Sequence, residues 1–322
     1  MLIGVSILTF VITRAAGDPV NSYLQDPERA SAEDIAIIEK KYHLDEPDYV
    51  QYIYWLKGVL QGDMGYSHTA HIPVTKALVT KFAATFELAI VATFFAVIIG
   101  IGVGTKAAIK ANSAFDQGTR VVSLVAVSIP VFWLGLILIW LFYLKLGWLP
   151  PSGRMDKQFL EVPRPTGFLT IDSLLNLNFD MFVDVVKHLI LPAITLTFAS
   201  TALIVRMMRA SMLEVLGAEY VRTARSKGLP ERVVIRKHAR RNALIPTTTV
   251  IGLSFGGLLG GAVLTETVFS WNGLGWWSAR AALNLDTAGI MGFTLLTATI
   301  YVLANLTVDL LYAYLDPRVR LG

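Results

Sequence analysis

Long stretches without charge are the feature that most limits how this chain can fold. Five of them contain no Asp, Glu, Lys or Arg, and each reaches about 18 residues or more, the length at which a helix crosses a bilayer core. They cover residues 88–105, 121–144, 188–205, 242–265 and 287–308. In hydrocarbon a spanning segment has to satisfy its own backbone hydrogen bonds, as a helix does. The sequence therefore predicts an all-α, polytopic membrane protein.

The chain also begins with an apolar run, which ends before Arg14. At 1.5 Å per residue this run extends only about 20 Å, whereas the bilayer core is about 30 Å thick. We interpret residues 1–14 as a first transmembrane helix and expect part of that helix to lie upstream. A cleaved signal peptide is the alternative, but the run lacks a basic n-region and an A-x-A-like site before Gly17. The prediction is thus six spans, with a membrane core over residues 83–322.

The distribution of Lys and Arg predicts the orientation. Ten basic residues lie between Arg206 and Arg241 against three acids, whereas residues 15–82 carry six basic and ten acidic residues. Short cytoplasmic loops retain positive residues. We therefore expect the loop 206–243 and both termini to be cytoplasmic. The basic residues sit at the ends of spans rather than on a soluble face, which argues against nucleic-acid binding.

Residues 15–82 are predicted to form a small extracytoplasmic helical segment between spans one and two. Ile35, Ile38 and Tyr42 recur with a helical period, and a second periodic set follows Pro47. His68 and His71 have a spacing that metal sites use, but no third ligand is nearby, so we expect no metal site. Three tryptophans after span five are predicted to be interfacial anchors, namely Trp271, Trp276 and Trp277.

The cytoplasmic loop 206–243 has an internal order that a merely positive loop does not require. Residues 216–227 suit a short helix, Gly228 supplies a left-handed stop, and Pro230 suits the start of a second short helix that runs to about Asn242. A short amphipathic helix of this kind is suited to docking in a groove of another protein.

The run AEYVRTARSKG at residues 218–228 resembles the cytoplasmic coupling loop of ABC importer permeases of the dipeptide, oligopeptide and nickel group. Further matches extend over nearly the whole chain: Gly17-Asp18-Pro19, Gly62-Asp63-Met64-Gly65, Glu266-Thr267-Val268-Phe269, Gly273-Leu274-Gly275, Asn305 to Asp309, and Asp316-Pro317-Arg318. The early Gly-Asp-Pro and the long first outer loop resemble the B-type subunit of the permease pair. The broader importer pattern has Glu-Ala-Ala ahead of the glycine, whereas this chain has Arg222-Thr223-Ala224. The missing glutamate leaves the salt bridges to the ATPase open.

The resemblance implies a function and a set of site residues. The chain would be the pore-forming subunit of a type I ABC importer in the cytoplasmic (inner) membrane of a bacterium or archaeon. Its partners would be a homologous C-type permease, two cytoplasmic ATPases and an extracytoplasmic solute-binding protein, besides membrane lipid. It would bind no cofactor itself, since ATP and Mg would sit on the ATPases. The ATPase-coupling residues would be Ala218, Glu219, Tyr220, Val221, Arg222, Thr223, Ala224, Arg225, Ser226, Lys227 and Gly228.

Span five is expected to line the translocation path, as it does in the family that this chain resembles. The candidate path residues are Ser254, Gly256, Gly257, Gly260 and Gly261. The glycines form two small-xxx-small repeats, a pattern that lets helices approach closely. Close packing is the alternative interpretation of the same glycines.

The sequence lacks the motifs and residues that two other classes of protein would need. An enzyme would need a recognisable site, but no P-loop, H-E-x-x-H or G-x-S-x-G motif and no cysteine occurs. A secondary transporter would need an ionisable site near the middle of the bilayer. Asp309, near the inner end of the last span, is predicted to make a structural hydrogen bond instead. The cargo stays open among di- or oligopeptide, nickel chelate and oligosaccharide, with peptide the first choice.

Overall fold

The computed structural model describes residues 1–16, 20 and 31–315, and it is almost entirely helical. The predicted Gly17-Asp18-Pro19 and Asp316-Pro317-Arg318 matches and the side chain of Asp309 lie outside this description. In chain order the elements are α1 (Leu2–Ala16), α2 (Ala32–Tyr42), α3 (Asp48–Leu60), β1 (Tyr66–Ser67), β2 (Ile72–Pro73), α4 (Val74–Ile109), α5 (Ala114–Ser128), α6 (Val131–Leu138), α7 (Leu169–Leu175), α8 (Phe179–Leu216), α9 (Glu219–Ser226), α10 (Glu231–Val233), α11 (Arg240–Leu259), α12 (Val263–Val268), α13 (Leu274–Leu283) and α14 (Thr287–Leu315). The strands pair antiparallel, with Tyr66 opposite Pro73.

Within the part of the chain that the structure describes, four helical segments are long and apolar enough to cross a membrane: α4, α8, the segment Glu231–Leu259 and α14. A bent pair makes a fifth span if it is counted as one. In that pair α5 and the segment Val131–Lys145 meet at an angle of 98°. Pro130 lies at the bend and has no backbone N–H to continue the helix, as its position in the sequence predicts. Helix α1 is apolar but shorter than the other candidate spans.

The described chain divides into two compact units. The first comprises residues 1–86, 152–185 and 259–301. Its core joins the start of α4 to the segment α12–α14, because Val74 and Leu78 pack against Leu274, Trp277 and other apolar residues. Helix α1 contacts α3 through a hydrogen bond of 2.9 Å between the hydroxyls of Ser6 and Tyr52.

The second unit comprises residues 87–151, 186–258 and the segment that begins at residue 302. Glycines bring α4 and α8 close together. A Cβ added at Gly100 would lie 2.6 Å from Ile204, and one added at Gly104 would lie 2.8 Å from the Cβ of Met208. Such small-xxx-small spacing suits helices that pack in lipid, where close van der Waals contact drives association.

Candidate coupling site

Helix α9 is a short element between two long helices. It begins after Gly217 and Ala218, whose amides donate to the carbonyls of Glu214 and Val215 at the end of α8. It ends where Gly228 adopts φ +72° and its amide donates to the carbonyl of Arg225 at 2.9 Å. This conformation confirms the left-handed stop predicted at Gly228. The observed helix is shorter than the predicted 216–227 because Leu216 still belongs to α8.

The two sides of α9 differ sharply in burial. Val221 is fully buried and Ala224 nearly so, and both pack with Val234 and against Val215. The other side is exposed and polar, and its residues are Glu219, Arg222, Thr223, Arg225, Ser226 and Lys227. Val221 and Ala224 are three residues apart, so they lie on the same face of the helix. An amphipathic helix of this kind can pack on its own protein with its apolar face and present its polar face to another protein.

Two side-chain contacts tie α9 to the following helix. Arg225 forms a two-bond pair with Glu231, Nη2 to Oε1 at 2.8 Å and Nε to Oε2 at 3.1 Å, and this bond raises the pKa of Arg225. Asn242 donates from its amide nitrogen to the hydroxyl of Tyr220 at 2.9 Å. Exposed ion pairs contribute at most about 1 kcal/mol to the free energy of unfolding. The Arg225–Glu231 pair therefore serves more to orient α9 relative to α10 than to stabilise the protein.

The base beneath α9 is a packed helix junction. Met208 and Met212 of α8 pack against Ala239, Ala243 and Ala108. Nearby, Arg209 binds the fully buried carboxylate of Asp116 through Nε at 2.5 Å and Nη2 at 2.8 Å. This pair joins α8 to the start of α5. A displacement of α9 would therefore be carried by several helices together.

The Asp116–Arg209 pair was not predicted from the sequence. The available signal was Ser113 followed by Asp116, a capping-box pattern, and the Ser113 side chain does accept from the amide of Asp116. The partner, Arg209, lies 93 residues away in sequence. Such a pairing depends on the tertiary fold, so a local pattern does not reveal it.

The prediction of a separate second helix in the loop is wrong. Residues Glu231–Leu259 form one continuous helical segment, with a π-helical stretch at Val234–Ala239 between α10 and α11. Pro230 is the N-cap residue, one position before the first helical position at which proline is favoured. The polar, basic side chains of this stretch suggested a loop, but its buried Val234 and Ala239 hold it in the helix. The element after α9 is therefore the N-terminal end of a long helix.

The candidate path residues lie in different surroundings. Gly257 is exposed, and a Cβ added there would meet nothing within 4 Å. Gly256 packs against α14, since an added Cβ would lie 3.0 Å from the Cβ of Ala304. Ser254 lies in α11 and is half-buried.

The placement of Gly260 and Gly261 in span five is wrong, because α11 ends at Leu259. Gly261 adopts φ +102°, and its α-carbon faces Gly275, where an added Cβ would lie 2.7 Å from the α-carbon. The pair that packs on α14 is instead Gly252 and Gly256, since a Cβ at Gly252 would lie 2.1 Å from Val308.

A buried carboxylate organises the segment after α11. Glu266 accepts from the hydroxyl of Thr85 at 2.7 Å and from the amide of Trp276 at 2.9 Å. Its burial raises the pKa of this carboxyl, and these hydrogen bonds oppose the rise. Gly273 leaves the space that the carboxylate occupies, because an added Cβ would lie 2.7 Å from Oε2.

The prediction that all three tryptophans are interfacial anchors is wrong for Trp271 and Trp277. Both are fully buried in the protein. Trp271 donates from Nε1 to the carbonyl of Ala84 at 2.8 Å, and Trp277 donates to the hydroxyl of Ser67 at 3.3 Å. These indoles hold the segment to α4 and to β1.

Residues 77–321 match the family described as "binding-protein-dependent transport system inner membrane component". The chain belongs to this family of membrane permease components. It is 45% identical over 99% of its length to the dipeptide transport system permease protein DppB of Alkalihalophilus pseudofirmus, and covers 96% of that protein. It is 46% identical, again over 99% of its length, to DppB of Escherichia coli K12, with 94% of that protein covered. The oligopeptide transport system permease protein AppB of Bacillus subtilis is 39% identical over 99% of this chain and 95% of AppB.

A solved structure has a similar fold. A chain of the MetNI methionine ABC transporter, in an inward-facing conformation, superposes with a TM-score of 0.56, covering 74% of this chain and 96% of that one. The two are 19% identical, so the likeness concerns the fold. The family resemblance inferred from the sequence motifs is confirmed.

Proposed function

We propose that this chain is the pore-forming subunit of an ATP-driven importer that moves di- or oligopeptides across the cytoplasmic membrane. The proposed mechanism rests on how α9 packs against the rest of the protein. One face of α9 is buried against its own protein, and the other is exposed and polar. The names of the relatives support a peptide cargo. A nickel chelate or oligosaccharide cargo would use the same machinery but finds no such support.

In this proposal α1 is the first of six spans, so residues 1–14 cross the membrane. Residues 15–82 form an extracytoplasmic segment, and residues 83–322 form the permease core with both termini in the cytoplasm. A homologous C-type permease completes the pore, a solute-binding protein delivers the cargo, and two cytoplasmic ATPases bind ATP and Mg. The chain itself binds no cofactor and hydrolyses nothing.

Residues 218–228 receive the ATPase movement. Closure of the ATPases would push on the exposed face of α9. The push reaches α8 through Val215 and reaches α10 through Val234 and the Arg225–Glu231 pair. Because packed helices move as units between discrete arrangements, the displacement would rock α8 and α11 together. The path past Gly257 would then open alternately to each side.

The test is uptake of a labelled dipeptide into liposomes that contain the full assembly. We expect uptake to require ATP. Replacing the buried Val221 by Asp should abolish uptake and uncouple ATP hydrolysis, because a buried unpaired charge would lift α9 off its base. Val233→Asp is the matched control, because it makes the same substitution at an exposed valine outside residues 218–228, and it should leave α9 seated.

Size-exclusion chromatography establishes that each variant still assembles. Uptake by the wild-type assembly without ATP would overturn the importer proposal. Full ATP-coupled uptake by Val221→Asp would overturn the role of α9 while leaving the importer proposal intact.

A further inference from the structure

A large apolar groove lies among α4, α5 and α8, within the second unit. Its volume is about 880 Å³. One wall is a face of α4 that includes Val91, Ile99 and Val103, and another is α5, with Phe115 and Gly118. Two wall hydroxyls are bonded to backbone carbonyls, Thr119 to Phe115 and Thr197 to Ala92, whereas the buried Oγ1 of Thr201 has no hydrogen-bond partner among the described residues. The groove therefore offers mainly methyl and ring surface.

One end of the groove is strongly basic. Lys106 lies one turn beyond Val103, with Nζ 4.9 Å from the centre of the Phe115 ring. Lys110 and Arg120 are also exposed there. Arg209 is neutralised by Asp116, and Arg120 lies 3.9 Å from the same carboxylate. Among the described residues no ion pair engages Lys106 or Lys110, so this end keeps a net positive charge.

The size of the groove suits acyl chains. A methylene is close in size to a water molecule, which takes about 30 Å³ of liquid, so the groove holds about thirty methylenes, or about two acyl chains. The wall from Val91 to Val103 is about 18 Å long at 1.5 Å per residue, so acyl chains can lie along it.

We propose that the groove binds an anionic phospholipid, with its acyl chains along α4 and α8 and its phosphate beside Lys106 and Arg120. The lipid would fill the space between α5 and the α4–α8 pair and so support the junction on which α9 rests. Basic pockets between spanning helices suit anionic head groups. The ligand class follows from an apolar groove that ends in more cations than the single carboxylate of Asp116 can neutralise.

Two glycines provide a matched test. Gly118 lines the groove and Gly102 lies outside its lining, and a Cβ added at either meets nothing within 4 Å. Gly118→Leu should therefore fill the groove without disturbing the fold, and Gly102→Leu is the control. The measurement is native mass spectrometry of the purified assembly after exchange with phosphatidylglycerol or phosphatidylcholine.

We expect the wild type and Gly102→Leu to retain phosphatidylglycerol, and Gly118→Leu to retain at least about tenfold less. The double variant Lys106→Gln with Arg120→Gln should lose preference for phosphatidylglycerol over phosphatidylcholine by about 30-fold, since each cation near a membrane surface contributes about 1 kcal/mol. Lys157→Gln, far away in the sequence, controls for the removal of a positive charge.

Equal lipid retention by Gly118→Leu and Gly102→Leu would overturn the proposal. So would loss of the partner permease from Gly118→Leu without a change in lipid, which would assign the groove to a partner helix. Retention of phosphatidylcholine at the level of phosphatidylglycerol in the wild type would overturn the role of the cations. None of these outcomes depends on peptide uptake.

Discussion

At the scale of single residues, Gly228 sets the geometry of the coupling segment. Its φ of +72° is a conformation that costs other residues about 1–2 kcal/mol, and no neighbour lies within 4 Å of an added Cβ. We expect Gly228→Ala to change the direction in which the chain leaves α9 and to lower the ratio of peptide imported to ATP hydrolysed.

The control is Gly217→Ala, because Gly217 has no positive φ and an added Cβ would meet only ordinary contacts from 3.5 Å. The ratio is measured in proteoliposomes that contain the full assembly. An equal ratio for the two variants would show that the left-handed stop is not needed for coupling.

Glu266 carries a second residue-scale prediction. Removal of its carboxylate leaves the Thr85 hydroxyl and the Trp276 amide without their acceptor, at a cost of about 1–3 kcal/mol each. Glu266→Ala should therefore lower the melting temperature of the purified assembly clearly, whereas Glu266→Gln keeps an acceptor oxygen and should lower it less. Equal melting temperatures for the two variants would contradict this account of the buried carboxylate.

The roles of some single residues could be predicted from the sequence, and those of others could not. Gly228 was predictable because a glycine between two helix-compatible segments signals a left-handed stop. Buried polar pairs were not, since Thr85 and Glu266 are separated by 181 residues and Asp116 and Arg209 by 93. Their partners are selected by the tertiary packing, which a local pattern does not contain.

At the scale of elements, the glycines of α11 have two different roles, one in packing against α14 and one on an exposed face. Gly252 faces α14, where an added Cβ would lie 2.1 Å from Val308, whereas Gly257 faces open space. We expect Gly252→Leu to prevent close packing of α11 on α14 and to reduce the yield of folded assembly. Gly257→Leu should assemble normally and slow peptide uptake by narrowing the path.

Yield and monodispersity are read by size-exclusion chromatography, and uptake is read in proteoliposomes. Normal assembly of Gly252→Leu would contradict the packing role. Unchanged uptake by Gly257→Leu would remove Gly257 from the path.

The existence of the elements was easier to predict than their ends. Uncharged stretches located α4, α8, α11 and α14, because lipid leaves an apolar chain few alternatives to a helix. The boundary at Leu259 and the continuity of Glu231–Leu259 were missed. The small residues after Leu259 gave no signal of the helix end, and the basic residues before α11 suggested a loop where the helix begins. Packing rather than charge decides where this helix begins and ends.

At the scale of the whole molecule, composition and charge predicted a polytopic membrane protein, and the resemblance of its motifs implied a permease. The family match and the fold agree with both. Packing and an ion pair join α9 to α8 and to α10, and we propose that this is where the permease receives force. Its orientation and its ATPase contact remain predictions of the account, and a single experiment addresses both.

The sequence contains no cysteine, so one introduced thiol is unique in this subunit and any cross-link can be assigned to it. Thr223→Cys places the thiol on the exposed face of α9. Lys157→Cys places it between the third and fourth of the six proposed spans, which puts it on the side of the membrane opposite to the loop 206–243. The measurement is thiol cross-linking of each variant to the ATPase subunits in the purified, functional assembly. The account predicts a cross-link from residue 223 that changes in yield when ATP binds, and none from residue 157. A cross-link from residue 157 and none from residue 223 would contradict both the orientation and the role of α9.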